Sequence, residues 1–89
     1  MIKLIQVVPA NQNDEHYLLE TTINPAHIVS VNSSDKYLML LHQNKLPDGL
    51  SNNHEFVEIS LSNGRTVIAV GSPQVIYEKI QASKKLLLG

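Results

Sequence analysis

The chain has no cysteine and no tryptophan, and it has only one phenylalanine among its 89 residues. Without cysteine, neither a disulfide framework nor a zinc site built on thiolates is available to stabilise so short a chain. Catalysis by a cysteine nucleophile is excluded for the same reason. The absence of cysteine therefore excludes a small secreted protein that is held together by disulfides.

Charged residues are also scarce, at 17% of the chain against 43% hydrophobic residues. The seven basic and eight acidic residues leave a net charge of −1, which excludes a globally basic nucleic-acid-binding protein. A chain of this length buries only about 60–65% of its unfolded surface and is marginally stable as a monomer. Low surface charge and a small core together lead us to expect a homo-oligomer.

Long apolar runs are missing as well. No stretch of the sequence approaches the roughly 18 apolar residues of a transmembrane helix. The N-terminus has one lysine and a short apolar run, and it lacks the basic start and cleavage site of a signal peptide. We therefore expect a single domain over residues 1–89, in the cytoplasm of a bacterium or as a phage product, with no membrane partner.

Several short runs rich in isoleucine, leucine, valine and threonine predict strands. Asn24-Pro25 interrupts the second run, because proline has no N–H to donate and pushes the residue before it away from helical angles. The run Tyr37 to Leu41 is apolar on both faces, which is typical of a central strand, and we prefer this to a short helix. The predicted strands cover residues 1–8, 17–23 with a continuation over 27–31, 37–41, 56–61 and 65–70.

The last third of the chain has the clearest local signals. Asn63-Gly64 between two β-rich runs predicts a hairpin with a type I′ turn, since both residues tolerate positive φ. Ser72 suits a helix N-cap and Pro73 the first helical position. The apolar stripe of this helix comprises Ile76, Ile80, Ser83 and Leu87, widened by Val75 and Leu86.

These signals together predict an α+β fold: a small, twisted, mainly antiparallel sheet of about five strands with one C-terminal amphipathic helix. The longest polar break, residues 44–53, contains Pro47-Asp48-Gly49. At this length it is either a mobile loop or a binding loop, and the sequence leaves both open.

No catalytic or metal-binding pattern is present in the sequence. The four histidines, His16, His27, His42 and His54, are far apart and lack the spacing of metal ligands. There is no G-x-S-x-G motif and no phosphate-binding glycine loop. We therefore predict a protein that is not an enzyme and uses neither a metal nor a cofactor.

Two sets of residues are candidates for partner binding. Leu86, Leu87 and Leu88 exceed what one helix face needs for its own core, and they predict contact with a partner or a second subunit. A frayed terminus without a role explains them equally well. The second set is a local basic patch for nucleic acid, formed by Arg65, Lys79, Lys84 and Lys85.

The chain resembles two families. Four segments resemble the small FlbD-type proteins associated with flagellar and swarming motility: Met1-Ile2-Lys3-Leu4, Ile23-Asn24-Pro25 with Ile28, the strands around Asn63-Gly64, and the segment 74–80 after Ser72. That resemblance implies a strand pair with an asparagine-glycine turn and a following short helix, with no catalytic residues. The longer segment 9–16 and the additional section 33–53, which we expect to add a strand and a loop, depart from that family.

A second similarity is to LytTR-type DNA-binding domains, which also contain a strand pair followed by a short helix. This resemblance would assign DNA contacts to Tyr37, Arg65 and Lys79. The acidic isoelectric point, near 6.4, and the missing basic loops argue against DNA binding of this type. From the sequence we predict a non-enzymatic, cytoplasmic, oligomeric protein that acts through protein–protein contacts, with a nucleic-acid-binding regulator as the alternative.

Overall fold

The computed structural model describes residues 1–10 and 15–88, with side chains described as far as Lys84. It confirms the predicted α+β fold, with one five-stranded antiparallel sheet and a C-terminal helix, and it adds a second, shorter helix. The elements are β1 (Ile2–Pro9), β2 (His16–Ile23), a 3-10 turn (Pro25–His27), β3 (Ile28–Ser33), α1 (Asp35–His42), β4 (Phe56–Leu61), β5 (Thr66–Val70) and α2 (Pro73–Leu88).

The strands lie in the order β2-β1-β5-β4-β3, and every neighbouring pair is antiparallel. β1 and β2 form a long, regular ribbon in which Ile2 pairs with Ile23 and Pro9 pairs with His16. The sequence predicts residues 27–31 as a continuation of the second strand. In the structure this segment is part of β3, which lies at the opposite edge of the sheet from β2.

The short connection between the two edge strands forces the sheet to curl. A flat sheet would hold β2 and β3 about 19 Å apart, four strand spacings of roughly 4.8 Å each. Only residues 24–27 join them, and Pro25–His27 of that segment is wound into a 3-10 turn with a rise of only about 2 Å per residue. The sheet therefore bends until the end of β2 approaches the β4–β5 hairpin.

The concave face of the curled sheet is packed by α2. Ile76 of α2 is fully buried against the strands, and Ile80 packs on the same core while partly exposed. Gly71 makes the bend into the helix at φ 139°, and a Cβ there would lie 3.5 Å from Cδ1 of Ile76. The buried strand residues of this core are Ile2, Leu4, Ile23, Val57, Ile59 and Ala69.

A second core lies on the other face of the sheet, under α1. Tyr37 and Leu41 of α1 are buried against Val7 and Phe56. The rings of Tyr37 and Phe56 are 6.3 Å apart and tilted by 45°, within the range of favourable aromatic pairs. The sheet is thus covered on both faces, which allows a short chain to bury both sides of its central strands.

Helix α1 corrects the prediction of a strand over residues 37–41. Ser34 is an N-cap, because its Oγ accepts a hydrogen bond from the N–H of Tyr37 at 3.4 Å. Asp35 in the first turn complements the helix dipole, and no β-branched residue follows in the helix. The sequence prediction misses this N-cap, and the two buried residues of the helix, Tyr37 and Leu41, are spaced four apart as helical packing requires.

The end of α1 is equally well defined and orders the start of the segment 44–53. Asn44 has a left-handed φ of 58°, and its N–H donates to the carbonyl of Leu41 at 3.1 Å. The N–H of Lys45 donates to the carbonyl of Leu40 at 2.9 Å, completing a Schellman motif. Leu46 and Leu50 then pack at partial exposure against the second core.

The hairpin between β4 and β5 forms at Asn63-Gly64 as predicted, but its turn is not type I′. Only Gly64 has a positive φ, of 84°, whereas a type I′ turn requires positive φ at Asn63 as well. The N–H of Gly64 donates to the carbonyl of Leu61, and the N–H of Leu61 donates to the carbonyl of Arg65. This is the three-residue hairpin loop that ends in a left-handed glycine.

Helix α2 begins as predicted, since Ser72 Oγ accepts a hydrogen bond from the N–H of Val75 at 3.2 Å. Val75, however, is 44% exposed and does not widen the buried stripe. Ser83 is buried, and its Oγ lies 3.5 Å from the N-terminal nitrogen of Met1. The side chains of Leu86, Leu87 and Leu88 lie outside the described residues, as does that of Lys85.

Replacing Ile76 by alanine tests how α2 holds the concave core. Because Ile76 is fully buried, Ile76→Ala should lower the free energy of unfolding by about 2–5 kcal/mol. The neighbouring Val75→Ala is the matched control and should cost less than about 0.5 kcal/mol. Urea unfolding followed by circular dichroism, at one protein concentration, measures both. Equal losses in the two variants would contradict the packing described for α2.

Replacing Ser34 by alanine tests the N-cap of α1. Loss of the hydroxyl leaves the N–H of Tyr37 without its partner, so Ser34→Ala should destabilise the protein by about 1 kcal/mol. Ser33→Ala, at an exposed position one residue earlier, is the control and should have a smaller effect. The same unfolding measurement applies. A larger cost for Ser33→Ala would show that the helix is not capped in this way.

Candidate functional site

An open cleft lies on the curled sheet where the end of β2 approaches the β4–β5 hairpin. Its volume is about 680 Å³. The floor combines buried or half-buried side chains from four strands: Gln6, Thr21, Ile23, Leu61 and Val67. The rim is polar and exposed, and its main residues are Asn24, His27, Ser62, Asn63 and Arg65.

Two hydrogen bonds fasten the rim across the curl of the sheet. Nδ1 of His27 and Oγ of Ser62 share a hydrogen bond of 3.2 Å. The N–H of Ser62 also donates to the carbonyl of His27 at 2.8 Å. Together these contacts tie the 3-10 turn to the hairpin loop, although the two residues are 35 positions apart in the chain.

The asparagines of the rim are oriented by their own backbone. Oδ1 of Asn24 accepts a hydrogen bond from the N–H of Ala26, and Oδ1 of Asn63 accepts one from the N–H of Arg65, both at 3.0 Å. Each oxygen accepts one hydrogen bond from the chain itself, and neither NH₂ group has a partner among the described residues, so both remain available as donors. The rim therefore offers mainly hydrogen-bond donors.

The cleft has one permanent charge within its described lining, and that charge is positive. Among the described residues that line it, Arg65 is the one permanently charged side chain, and no aspartate or glutamate is present. In the described part of the chain the one ion pair, Lys3–Glu20 at 3.4 Å, lies elsewhere. The guanidinium of Arg65 thus has no carboxylate partner among the described residues.

Ser62 and His27 have the hydrogen bond of a nucleophile and its base, but not the rest of a catalytic site. Both residues are exposed, and no described side chain accepts a hydrogen bond from the second ring nitrogen of His27. A catalytic base needs such a third group to hold its tautomer and orientation. We read the pair as a structural contact that keeps the sheet curled.

A second candidate surface is the free edge of β2. All eight residues of β2 pair with β1 in one unbroken register. Tyr17 is 49% exposed and Leu19 is 47% exposed, so this edge carries two large apolar side chains that are only half covered. The strand contains no proline and no lysine, which are residues that commonly protect an edge from pairing with another chain, and its one carboxylate, Glu20, forms an ion pair with Lys3 of β1.

The register shows which backbone groups of β2 face outward. The N–H of Ala10 donates to the carbonyl of Glu15 at 2.7 Å, and hydrogen-bonded pairs alternate along an antiparallel ribbon. Tyr17 and Leu19 therefore direct their backbone groups toward β1. The N–H and C=O groups of Leu18 and Glu20 point away from the sheet.

The edge formed by β3 differs from that of β2. The pairing of β3 with β4 is interrupted by a register shift between Ile28 and Ser30, which breaks the regular edge. The strand is also shorter, with six residues, and the 3-10 turn precedes it directly. Val29 is 69% exposed at this irregular site. Regular strand addition is thus favoured at β2 and opposed at β3.

The predicted basic patch is only partly described. Arg65 lies on the hairpin loop and lines the cleft, while Lys79 and Lys84 are exposed on α2 and do not line it. Lys85, together with Leu86, Leu87 and Leu88, has no described side chain. The structure therefore assigns Arg65 to the cleft, and the four basic residues remain a prediction as a nucleic-acid surface.

The histidines are likewise distributed. No group of three or more histidine, aspartate and glutamate side chains within the described ranges could hold a metal ion. His16 packs edge-on against the Tyr37 ring at 5.6 Å, and its buried Nδ1 has no hydrogen-bond partner among residues 1–10 and 15–84. No helix in the described part of the chain is long and apolar enough to cross a bilayer.

The cleft and the β2 edge were both missed from the sequence. Asn24-Pro25 was noticed as an interruption, and this was the available signal that the chain leaves the sheet there. Nothing in the sequence linked His27 with Ser62, since their contact depends on how far the sheet curls. The position of β2 at an edge depends on strand order, which alternation alone does not specify.

Comparison with protein-family models, with curated proteins and with solved structures gave no match.

Proposed function

We propose that the protein is a non-enzymatic, self-associating protein that acts through protein–protein contacts, and that β2 is its subunit interface. The observation that carries this proposal is the regular, unprotected edge of β2 with Tyr17 and Leu19 half exposed. Strand addition at such an edge gives each copy new backbone hydrogen bonds and covers the apolar side chains.

A second copy of the chain suits this edge in one antiparallel register. A twofold axis through Leu19 lets Leu18 of each copy exchange hydrogen bonds with Glu20 of the other, and these are the residues whose backbone groups face outward. Leu19 then lies opposite Leu19 of the second copy, and both side chains are removed from water. An axis through Glu20 is disfavoured because it would place two carboxylates opposite one another.

The resulting dimer would contain one continuous sheet through both subunits. This arrangement would stabilise a chain of 89 residues, which is expected to be marginally stable alone, because it adds buried apolar area without enlarging either core.

Replacing Leu19 by lysine tests the interface. The wild-type protein should elute as a dimer in size-exclusion chromatography with light scattering, and Leu19→Lys should give a monomer, since a charge at an edge opposes strand pairing. Val29→Lys, at the other edge, is the matched control and should remain a dimer. A monomeric wild-type protein at micromolar concentration, or dissociation by Val29→Lys alone, would overturn the proposal. Circular dichroism confirms that each variant is folded.

The absence of cysteine allows a direct test of the register. In the proposed dimer the two copies of residue 19 form a non-hydrogen-bonded pair with Cα atoms about 4.5 Å apart, which suits a disulfide. Leu19→Cys should therefore form a covalent dimer under mild oxidation. Thr22→Cys, whose two copies would be roughly 20 Å apart, should not. Equal cross-linking of the two variants would contradict the axis through Leu19.

A further inference from the structure

The cleft has the size of a small-molecule site and lies at the mouth of a curled sheet. Its volume of about 680 Å³ falls within the range of roughly 300–1,000 Å³ that is typical of ligand pockets. The walls come from β2, from the 3-10 turn and from the β4–β5 hairpin. The two hydrogen bonds between His27 and Ser62 fix the relative positions of the last two.

The polar side of the cleft is suited to an anion. Arg65 supplies the one permanent charge of the described lining, and no acidic side chain there competes for it. Asn24 has its oxygen occupied by the N–H of Ala26 and keeps its NH₂ group as a donor. His27 directs Nδ1 to Ser62, and in the tautomer in which Nδ1 accepts from the Ser62 hydroxyl, Nε2 carries a proton that it can donate. These groups present hydrogen-bond donors to an entering ligand.

The single positive charge of Arg65 favours an anion with one negative charge over an anion with two. The guanidinium of arginine binds a carboxylate through two parallel hydrogen bonds and balances its single negative charge. A phosphate monoester carries close to two charges at neutral pH, so one charge would stay uncompensated in this lining. A monocarboxylate is therefore the better match.

The other side of the cleft is apolar. Ile23 is 8% exposed, and Leu61 and Val67 are half-buried at the floor. A ligand that only carried a carboxylate would leave this surface against water. A branched or cyclic hydrocarbon body attached to the carboxylate would cover this surface and remove it from water.

We propose that the cleft binds a small monocarboxylate with an apolar body, held by Arg65 at the rim and by Ile23, Leu61 and Val67 at the floor. This proposal does not depend on self-association, because every residue that it names belongs to one copy of the chain.

Titration of ¹⁵N-labelled protein with isovalerate, followed by amide chemical shifts, tests the proposal. Saturable shifts should appear at residues 21–24 and 61–67 with a dissociation constant below about 10 mM. Isovaleramide has the same shape without the charge and should bind at least about tenfold more weakly. Inorganic phosphate should also bind more weakly than isovalerate.

Two variants separate the role of Arg65 from general charge. Arg65→Gln should weaken isovalerate binding at least about tenfold, and Lys84→Gln, which removes a positive charge outside the cleft, should leave it unchanged. Because Arg65 is exposed, the dispersion of the amide spectrum should show that Arg65→Gln is folded. The proposal is overturned by an absence of saturable shifts in the cleft, by equal binding in Arg65→Gln, or by phosphate or isovaleramide binding as tightly as isovalerate.

Discussion

The connection between β2 and β3 is the constraint on which the rest of the structure depends. These strands are the two edges of the sheet, yet only residues 24–27 join them, and most of that segment is a 3-10 turn. The sheet must curl to satisfy this connection, and the bonds between His27 and Ser62 hold the curl in place. Helix α2 packs on part of the concave face, and the cleft occupies the part beside the hairpin.

The same constraint makes the two edges unequal. The turn and the register shift at Ile28 and Ser30 disturb the start of β3, so this strand offers no regular ladder to another chain. β2 stays fully paired with β1 up to Ile23, and its outward backbone groups recur at every second residue. A curl that closes one region of the molecule thereby leaves one well-formed edge for association.

Local signals predicted much of the fold. Ser72 and Pro73 marked the start of α2, and Asn63-Gly64 marked the hairpin, because each acts through hydrogen bonds to residues two to four positions away. The same kind of signal was present at Ser34, where the apolar run that follows was interpreted as a buried strand. Without β-branched residues that run had no strong strand preference, and its packing against Val7 and Phe56 stabilises the helix.

The candidate site was much less predictable. Arg65 was identified as a basic residue, but its neighbours in the cleft come from positions as distant as Gln6 and Asn24. Alternation along a strand indicates which side chains share a face; it does not indicate which strand ends at an edge. That choice depends on which order of strands buries both sets of apolar side chains, a property of the whole chain.

The sequence by itself determined the hairpin at Asn63-Gly64, the N-cap of α2 and the lack of any thiol chemistry, because these depend on short-range hydrogen bonding and on composition. The tertiary structure alone decided the helical state of residues 35–42, the strand order, the curl and therefore the cleft and the free edge. These features arise from contacts between distant segments, where the burial of one strand depends on the position of all the others.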